Sequence, residues 1–339
     1  MNSCRAPVGP MNHDMTPSSS QPRALVTGCA GFIGSHLCEA LLASGADVLG
    51  VDCFAAFYPR AVKERNMLAL REHPRFEFRE LDLGYRRVIG LLDGVDLVFH
   101  LAGQPGVRPS FGGGFKTYVR NNIQATQRLL EEASRRPVDA FVYASSSSVY
   151  GEAPSYPTAE DSPLAPISPY AMSKFATEEI AKVYHRTRGV PVIGLRYFTV
   201  YGPRQRPDMA FARFLSAALA GQPLPVLGDG GQLREFTYVS DAVDATLAAA
   251  ARGQAGAAYN VGGGASVSLE AVIALMEELF GRPLIRTHDR VPRGDVRVTQ
   301  ADGTLAEAQL GFRAAVSLED GLAAQLAALR PSVFPAVAA

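Results

Sequence analysis

The 339-residue chain contains no tryptophan, carries no net charge and has only four cysteines. Without tryptophan, no indole emission masks the fluorescence of a bound ligand. Thirty-three basic residues against 33 acidic ones leave no electrostatic footprint for nucleic acid or an anionic membrane. Cys4, Cys29, Cys38 and Cys53 form no CxxC pair, and no Cys/His cluster has zinc spacing. Neither a disulfide framework nor a metal site is therefore expected, and the pattern suits a reducing cytoplasm. No stretch approaches the ~20 apolar residues of a membrane span. Residues 1–22 are rich in Pro, Ser, Asn and Met and read as a disordered tail rather than a signal peptide.

What is present is alternation. Strand-like apolar runs are predicted at Ala24–Thr27, Asp47–Val51, Phe76–Leu81, Leu97–Leu101, Ala140–Ala144 and Val192–Tyr197, with helical patterns between them. Ile33, Leu37, Ala40, Leu41 and Ser44 share one helical face, as do Ile123, Thr126, Leu129, Leu130 and Ala133. Near-continuous apolar strands alternating with helices predict an α/β fold: a Rossmann-like, doubly wound parallel sheet over residues 23–200. Beyond Tyr201 the loops become Pro/Gly-rich and shorter helices are predicted at Phe211–Ala220, Asp241–Ala251, Leu269–Phe280 and Leu318–Leu329. Residues 201–330 are expected to form a smaller α/β lobe, interleaved with the first, that closes over the sheet's carboxyl edge. Residues 331–339 are expected to form a second tail.

The first strand runs into Thr27-Gly28-Cys29-Ala30-Gly31-Phe32-Ile33-Gly34, which opens the first helix. Side chains at the glycines would keep a pyrophosphate from the backbone, and the helix start supplies free N–H groups. The GxxGxxG spacing differs from the commoner GxGxxG. Its context, a strand before and a helix after, marks a dinucleotide site. Asp52 ends the second strand, where a carboxylate suits two ribose hydroxyls and repels a 2′-phosphate, favouring NAD over NADP. Asp82, in Leu81-Asp82-Leu83, is a candidate acceptor for the adenine amino group. The apolar Leu101-Ala102-Gly103 lets a cofactor pack closely.

Ser168-Pro169-Tyr170-Ala171-Met172-Ser173-Lys174 begins another helix, with Ser168 as N-cap and Pro169 in the first position. The i, i+4 spacing puts Tyr170 and Lys174 on one face. A nearby lysine cation favours phenolate, which can take a proton from a sugar hydroxyl. Most YxxxK pairs are surface pairs. Ser145-Ser146-Ser147-Ser148 after the fifth strand raises this one, because a hydroxyl there can hold the reacting oxygen against Tyr170.

These motifs resemble the extended short-chain dehydrogenase/reductases, in the nucleotide-sugar epimerase/dehydratase/decarboxylase branch, over about Ala24 to Leu329. The resemblance implies Tyr170 as acid/base, Lys174 as its electrostatic partner and ribose ligand, and Ser146 on the reacting oxygen. It implies NAD held through Gly28, Gly31, Phe32, Ile33, Gly34, Asp52, Asp82, Leu83, Leu101, Ala102, Tyr170 and Lys174, reduced and reoxidised within one turnover. It further implies a homodimer joined by a four-helix contact.

Leu233-Arg234-Glu235-Phe236-Thr237 resembles the family's diphosphate-binding arginine segment, and Arg293-Gly294-Asp295-Val296 its late nucleotide loop. Arg196-Tyr197-Phe198-Thr199-Val200-Tyr201-Gly202-Pro203-Arg204-Gln205-Arg206-Pro207-Asp208-Met209 is similar to UDP-glucuronate 4-epimerases, where the resemblance implies that Thr199 and Arg206 meet the sugar carboxylate. Arg offers carboxylates a planar fork. Arg108, Ser146, Ser147, Ser148, Arg234 and Asp295 complete the expected substrate set. The rival is a UDP-glucuronate decarboxylase, whose relatives usually carry Glu at the position of Ser148. A silent NAD-binding regulatory protein and a dehydrogenase that releases NADH are further alternatives.

Overall fold

A computed structural model describes residues 21–264, 266–289 and 296–333. The first half alternates as expected: β1 (Arg23–Thr27), α1 (Phe32–Ala43), β2 (Asp47–Asp52), α2 (Arg60–Asn66), α3 (Leu68–Glu72), β3 (Phe76–Glu80) and β4 (Leu97–His100). Then come α4 (Phe115–Tyr118), a π-helical turn (Val119–Gln124), α5 (Ala125–Ala133), β5 (Ala140–Ser146), α6 (Pro169–Arg188), β6 (Val192–Tyr197) and β7 (Thr199–Tyr201). The second half holds α7 (Ala210–Leu219), β8 (Leu224–Leu227), β9 (Leu233–Tyr238), α8 (Val239–Arg252) and β10 (Ala258–Val261). It ends with β11 (Ser266–Ser268), α9 (Leu269–Phe280), β12 (Arg286–Asp289), α10 (Thr304–Leu310) and α11 (Leu318–Val333).

Seven strands form one parallel sheet in the order β10-β6-β5-β4-β1-β2-β3. Its order reverses between β4 and β1, the crevice where such sheets bind ligands. Side chains alternate across it. Leu25, Leu49, Val98 and Phe141 pack on one face beneath Leu129 and Leu130 of α5. Ala24, Val26, Val48, Phe99 and Val142 pack on the other with Leu37 and Leu41 of α1 and Ala242 and Ala245 of α8. Burial on both faces explains why these strands read as unbroken apolar runs.

The structure departs from the sequence reading in four places. A seventh strand, β10, returns from beyond residue 201 to pair with β6, Ala258 opposite Gly194, so both halves of the chain build one sheet. The expected helix before β5 is broken by the π-helical turn. The fifth strand runs on through Ser145 and Ser146. The last helix continues to Val333, past the expected start of a tail. Residues 1–20, most of the expected first tail, and 334–339 lie outside the described residues. The lobe has its own core, with Phe211, Leu215, Leu224, Ile273, Met276 and Leu322 buried around β8, α7, α9 and α11.

Candidate active site

The turn after β1 wraps the start of α1. Gly28 takes φ +75°, a left-handed conformation unfavourable to side chains, and a Cβ there would stand 2.9 Å from the Ala102 nitrogen. A Cβ on Gly34 would stand 2.1 Å from the Gly28 carbonyl oxygen. The α1 N-cap, Gly31, offers no side-chain cap, so the first N–H groups of the helix are left for an anion. This turn opens on a cleft lined among others by Phe32, Ile33, Asp52, Asp82, Leu83, Leu101, Ala102 and Arg206.

Asp52 is buried. Its carboxylate accepts from Ala30 N at 3.3 Å and Phe54 N at 2.8 Å, with Lys63 Nζ at 3.8 Å. Those bonds tie the end of β2 to the glycine turn and aim the charge along the cleft wall. Asp82 accepts from Gly84 N at 2.8 Å and shapes the turn after β3. This geometry, a bare helix start, a cradle a Cβ would fill and an acid on the neighbouring strand, fits a dinucleotide. Asp52→Asn is expected to weaken NAD binding roughly tenfold, the scale of one charged hydrogen bond, and to narrow the gap to NADP. Titrating stripped protein with both and following nicotinamide fluorescence checks it; unchanged affinities would remove Asp52 from cofactor selection.

Ser168 Oγ accepts from Ala171 N at 3.1 Å and Pro169 opens α6, so the helix starts where Tyr170 must face the cleft. Ser168→Ala should lower stability by about 1 kcal/mol, read as a shifted urea midpoint at constant slope. Tyr170 is half-buried, its ring edge-on to Tyr118 with centroids 6.1 Å apart. Burial pushes its phenol up; the nearby Ser146 hydroxyl and Arg206 guanidinium pull it down. Lys174 is buried and donates from Nζ to the Ala144 carbonyl at 2.8 Å. Burial lowers its pKa to about 8, against the upward pull of Glu178. The expected acidifying influence of Lys174 on Tyr170 is thus supplied here by Ser146 and Arg206, because the ammonium is turned to β5.

Ser146 Oγ accepts from Ser148 N at 3.2 Å and from Ser148 Oγ at 2.9 Å. Ser147 opens the short helical turn that follows β5. Ser145 faces the other way, donating to the buried Glu178 carboxylate. Thr199 is half-buried on β7, opposite Phe236. Arg206 lies in the cleft wall, gripped by Asp208 through Nε and Nη2 at 3.0 Å each, with its guanidinium carbon 5.8 Å from the Phe57 ring centre. The segment that carries it is strapped to α1. Arg204 donates to Ser35 at 3.1 Å and Glu39 at 2.6 Å, and His36 Nε2 meets the Pro203 carbonyl at 2.9 Å.

Of the expected substrate residues that are described, Arg206 alone lines the cleft; Ser146, Ser147, Ser148 and Thr199 lie outside that lining, as do two arginines. Arg108 is exposed on a short helical turn. Arg234 is half-buried on β9 and bonds the carbonyls of Leu233, Val296 and Arg297, which directs it to the loop around Val296. Asp295 falls outside the described residues.

The sequence reading missed Asn122, buried in the π-helical turn. It accepts from Gln104 N at 2.6 Å and donates to Ser173 Oγ at 2.8 Å, beside Lys174. It also missed the Phe57–Lys63 wall of the cleft. His100 is neutral, its pKa pushed down to about 3 mainly by burial. Thr126 gives its proton to the Asn122 carbonyl, so His100 Nε2 donates to Thr126 and Nδ1 faces Thr27. It is a structural link between β1, β4 and the π-turn.

A parallel sheet with a dinucleotide cleft at its switch point, and a Tyr/Lys helix over the carboxyl edge, define an enzyme that works on a bound substrate through a nicotinamide cofactor. The chain belongs to the NAD dependent epimerase/dehydratase family, whose model matches residues 24–262, and its cofactor is NAD. It is 43% identical over 309 residues to an uncharacterised UDP-glucose epimerase of Bacillus subtilis, covering 91% of this chain and 98% of that one. It is 36% identical over 304 residues to a UDP-glucuronate 4-epimerase of Thermodesulfobacterium geofontis, covering 88% and 93%. Among solved structures, a UDP-glucuronic acid 4-epimerase of Bacillus cereus, in complex with UDP-glucuronic acid and NAD, superposes with TM-score 0.89 at 41% identity. The match covers 91% of this chain and 99% of that one.

Proposed function

We propose that this enzyme interconverts UDP-glucuronate and UDP-galacturonate by 4-epimerisation through a transient 4-keto sugar. The observation that carries the reading is Arg206: one guanidinium in the same cleft wall as the glycine turn, near enough to Tyr170 to lower its pKa. A carboxylate on carbon 5 of a hexuronate is the group such a fork would take.

Tyr170 Oη takes the proton of the carbon-4 hydroxyl while Ser146 Oγ holds that oxygen. NAD bound in the cleft would supply the reversible hydride acceptor for carbon 4. After the keto sugar turns, Tyr170 gives its proton back to the oxygen. Lys174 keeps a cation beneath the helix, and Arg206 holds the carboxylate so that it resists loss as carbon dioxide. Ser148 presents a hydroxyl, already bonded to Ser146, where decarboxylation relatives usually place Glu, which supports the epimerase over the decarboxylase.

NMR of the products from UDP-glucuronate tests the reading. UDP-galacturonate is expected; a pentose or keto-pentose product overturns it, as does stoichiometric NADH release. The reading includes a cytoplasmic homodimer. Met172 and Val183 on α6 and Val119 on the π-helical turn are exposed apolar side chains that support pairing, and sedimentation gives the mass that decides it. No described helix is long and apolar enough to cross a membrane.

A further inference from the structure

Below the reacting groups lies a buried polar network that the proposed chemistry does not use. Glu178 is fully buried on α6, four residues beyond Lys174 and eight beyond Tyr170, on the same helical face. Arg196 of β6, also buried, grips it with two bonds, Nε to Oε1 at 3.0 Å and Nη2 to Oε2 at 2.8 Å. Ser145 Oγ donates to the same Oε1. Arg196 Nη1 reaches the Tyr150 hydroxyl and the Glu160 carbonyl, both at 2.8 Å, and Tyr150 donates to Asn260 at 2.7 Å. One carboxylate thus joins the helix of Tyr170 and Lys174 to the strand end that carries Ser146.

We propose that Glu178 is a positioning residue of the reaction. Its carboxylate places a negative charge one helical turn from Lys174 and, through Ser145, fixes the distance between the β5 hydroxyls and α6. The proposal rests on the roles given to Tyr170 and Lys174 above. A buried ion pair is by itself weak evidence for stability, since an apolar pair often serves as well. What a hydrophobic replacement would not supply is a negative charge one helical turn below a buried lysine. Desolvation opposes that lysine's charge, and Glu178 is the group that opposes desolvation.

The other groups around the network leave this role to Glu178. Lys174 has Tyr170 and Glu178 on its own helix and neutral His100 on β4. Glu178 faces Arg196 of β6 and Tyr143 of β5, whose phenol burial holds protonated. The charges of the π-turn and α5 are engaged elsewhere: Arg120 with Tyr85, Arg128 with the Leu83 carbonyl, Glu131 with Tyr184, Glu132 with Gly90 N. On α4, Lys116 is exposed.

The test is the pH profile of kcat for the full chain with NAD on UDP-glucuronate. Glu178→Gln should move the alkaline limb down by about one pH unit, with roughly fivefold loss of kcat at pH 8 from titration alone and little change in KM. Arg196→Gln, which leaves the carboxylate and removes its cation, should move the limb up. Glu178→Asp should restore it. A limb that stays at the wild-type pH, or moves the same way in both Gln variants, overturns the proposal and leaves the network structural. If one Gln variant does not fold, the other reads the limb alone. If neither folds, Ser145→Ala decides: a lower kcat at unchanged KM supports the link, and an unchanged kcat overturns it. Wild-type inactivity on UDP-glucuronate would instead indict the functional reading.

Discussion

Tyr170→Phe is expected to lower turnover of UDP-glucuronate by about 10²–10⁴-fold, the usual loss on removing a general acid/base, while NAD and the nucleotide sugar still bind. The ring stays in place against Tyr118, so packing is kept and only the proton carrier is lost. Isothermal titration with both ligands, beside the rate, separates the two effects. Near-wild-type turnover would take Tyr170 out of the mechanism. The pH dependence follows from the neighbours. Lys174, held at about 8 by burial, is charged below that pH and loses its proton above it. Turnover that needs the cation is therefore expected to fall as pH rises through about 8. The buried Tyr170 phenol, raised overall, loses its proton with difficulty and limits the rate from the acid side.

Much of this was legible because the signals are local. The strands β1 and β2 and the glycine turn announce themselves through unbroken apolar runs that stop at Thr27 and Asp52. Ser168 and Pro169 mark the start of α6 to the residue, and that start aims Tyr170. The π-helical turn was not legible. Ile123, Thr126, Leu129, Leu130 and Ala133 keep helical spacing in the sequence whether or not the Val119–Gln124 turn takes in an extra residue, yet that turn brings Asn122 to Ser173, beside Lys174. Nor can spacing show which of many arginines meets Glu178, since Arg196 reaches it across a strand–helix crossover. β10 was missed because Ala258–Val261 is four residues long and reads like its loops. Arg234 was read as a diphosphate-binding arginine; in the fold it also donates to main-chain carbonyls, something no sequence window displays.

Arg206→Ala should hurt UDP-glucuronate far more than UDP-glucose. Both substrates share the uridine diphosphate, so any residue that meets it serves them alike. Glucuronate alone carries a carboxylate on carbon 5. A charge-assisted bond to that group is worth about 1.5–3 kcal/mol, roughly ten- to a hundredfold in affinity or rate. Asp208 already grips Arg206 through Nε and Nη2, which holds the fork at a fixed angle in the cleft wall. That grip leaves Nη1 without a hydrogen bond among the described residues, so the side chain can meet a second carboxylate without first breaking its own pair. Phe57 beneath the guanidinium and the strap from Arg204 to α1 keep the segment in place. The truncation should therefore remove a contact rather than unfold a loop, and the melting temperature should change little. Losing the contact also frees the carboxylate of the keto sugar to rotate in line with the carbonyl, so the variant should release some pentose product. The measurement is kcat/KM for both substrates in wild type and variant, with NMR of the products. Equal losses for both, or no loss for either, would mean that Arg206 is an ordinary cleft arginine and that the carboxylate is read elsewhere.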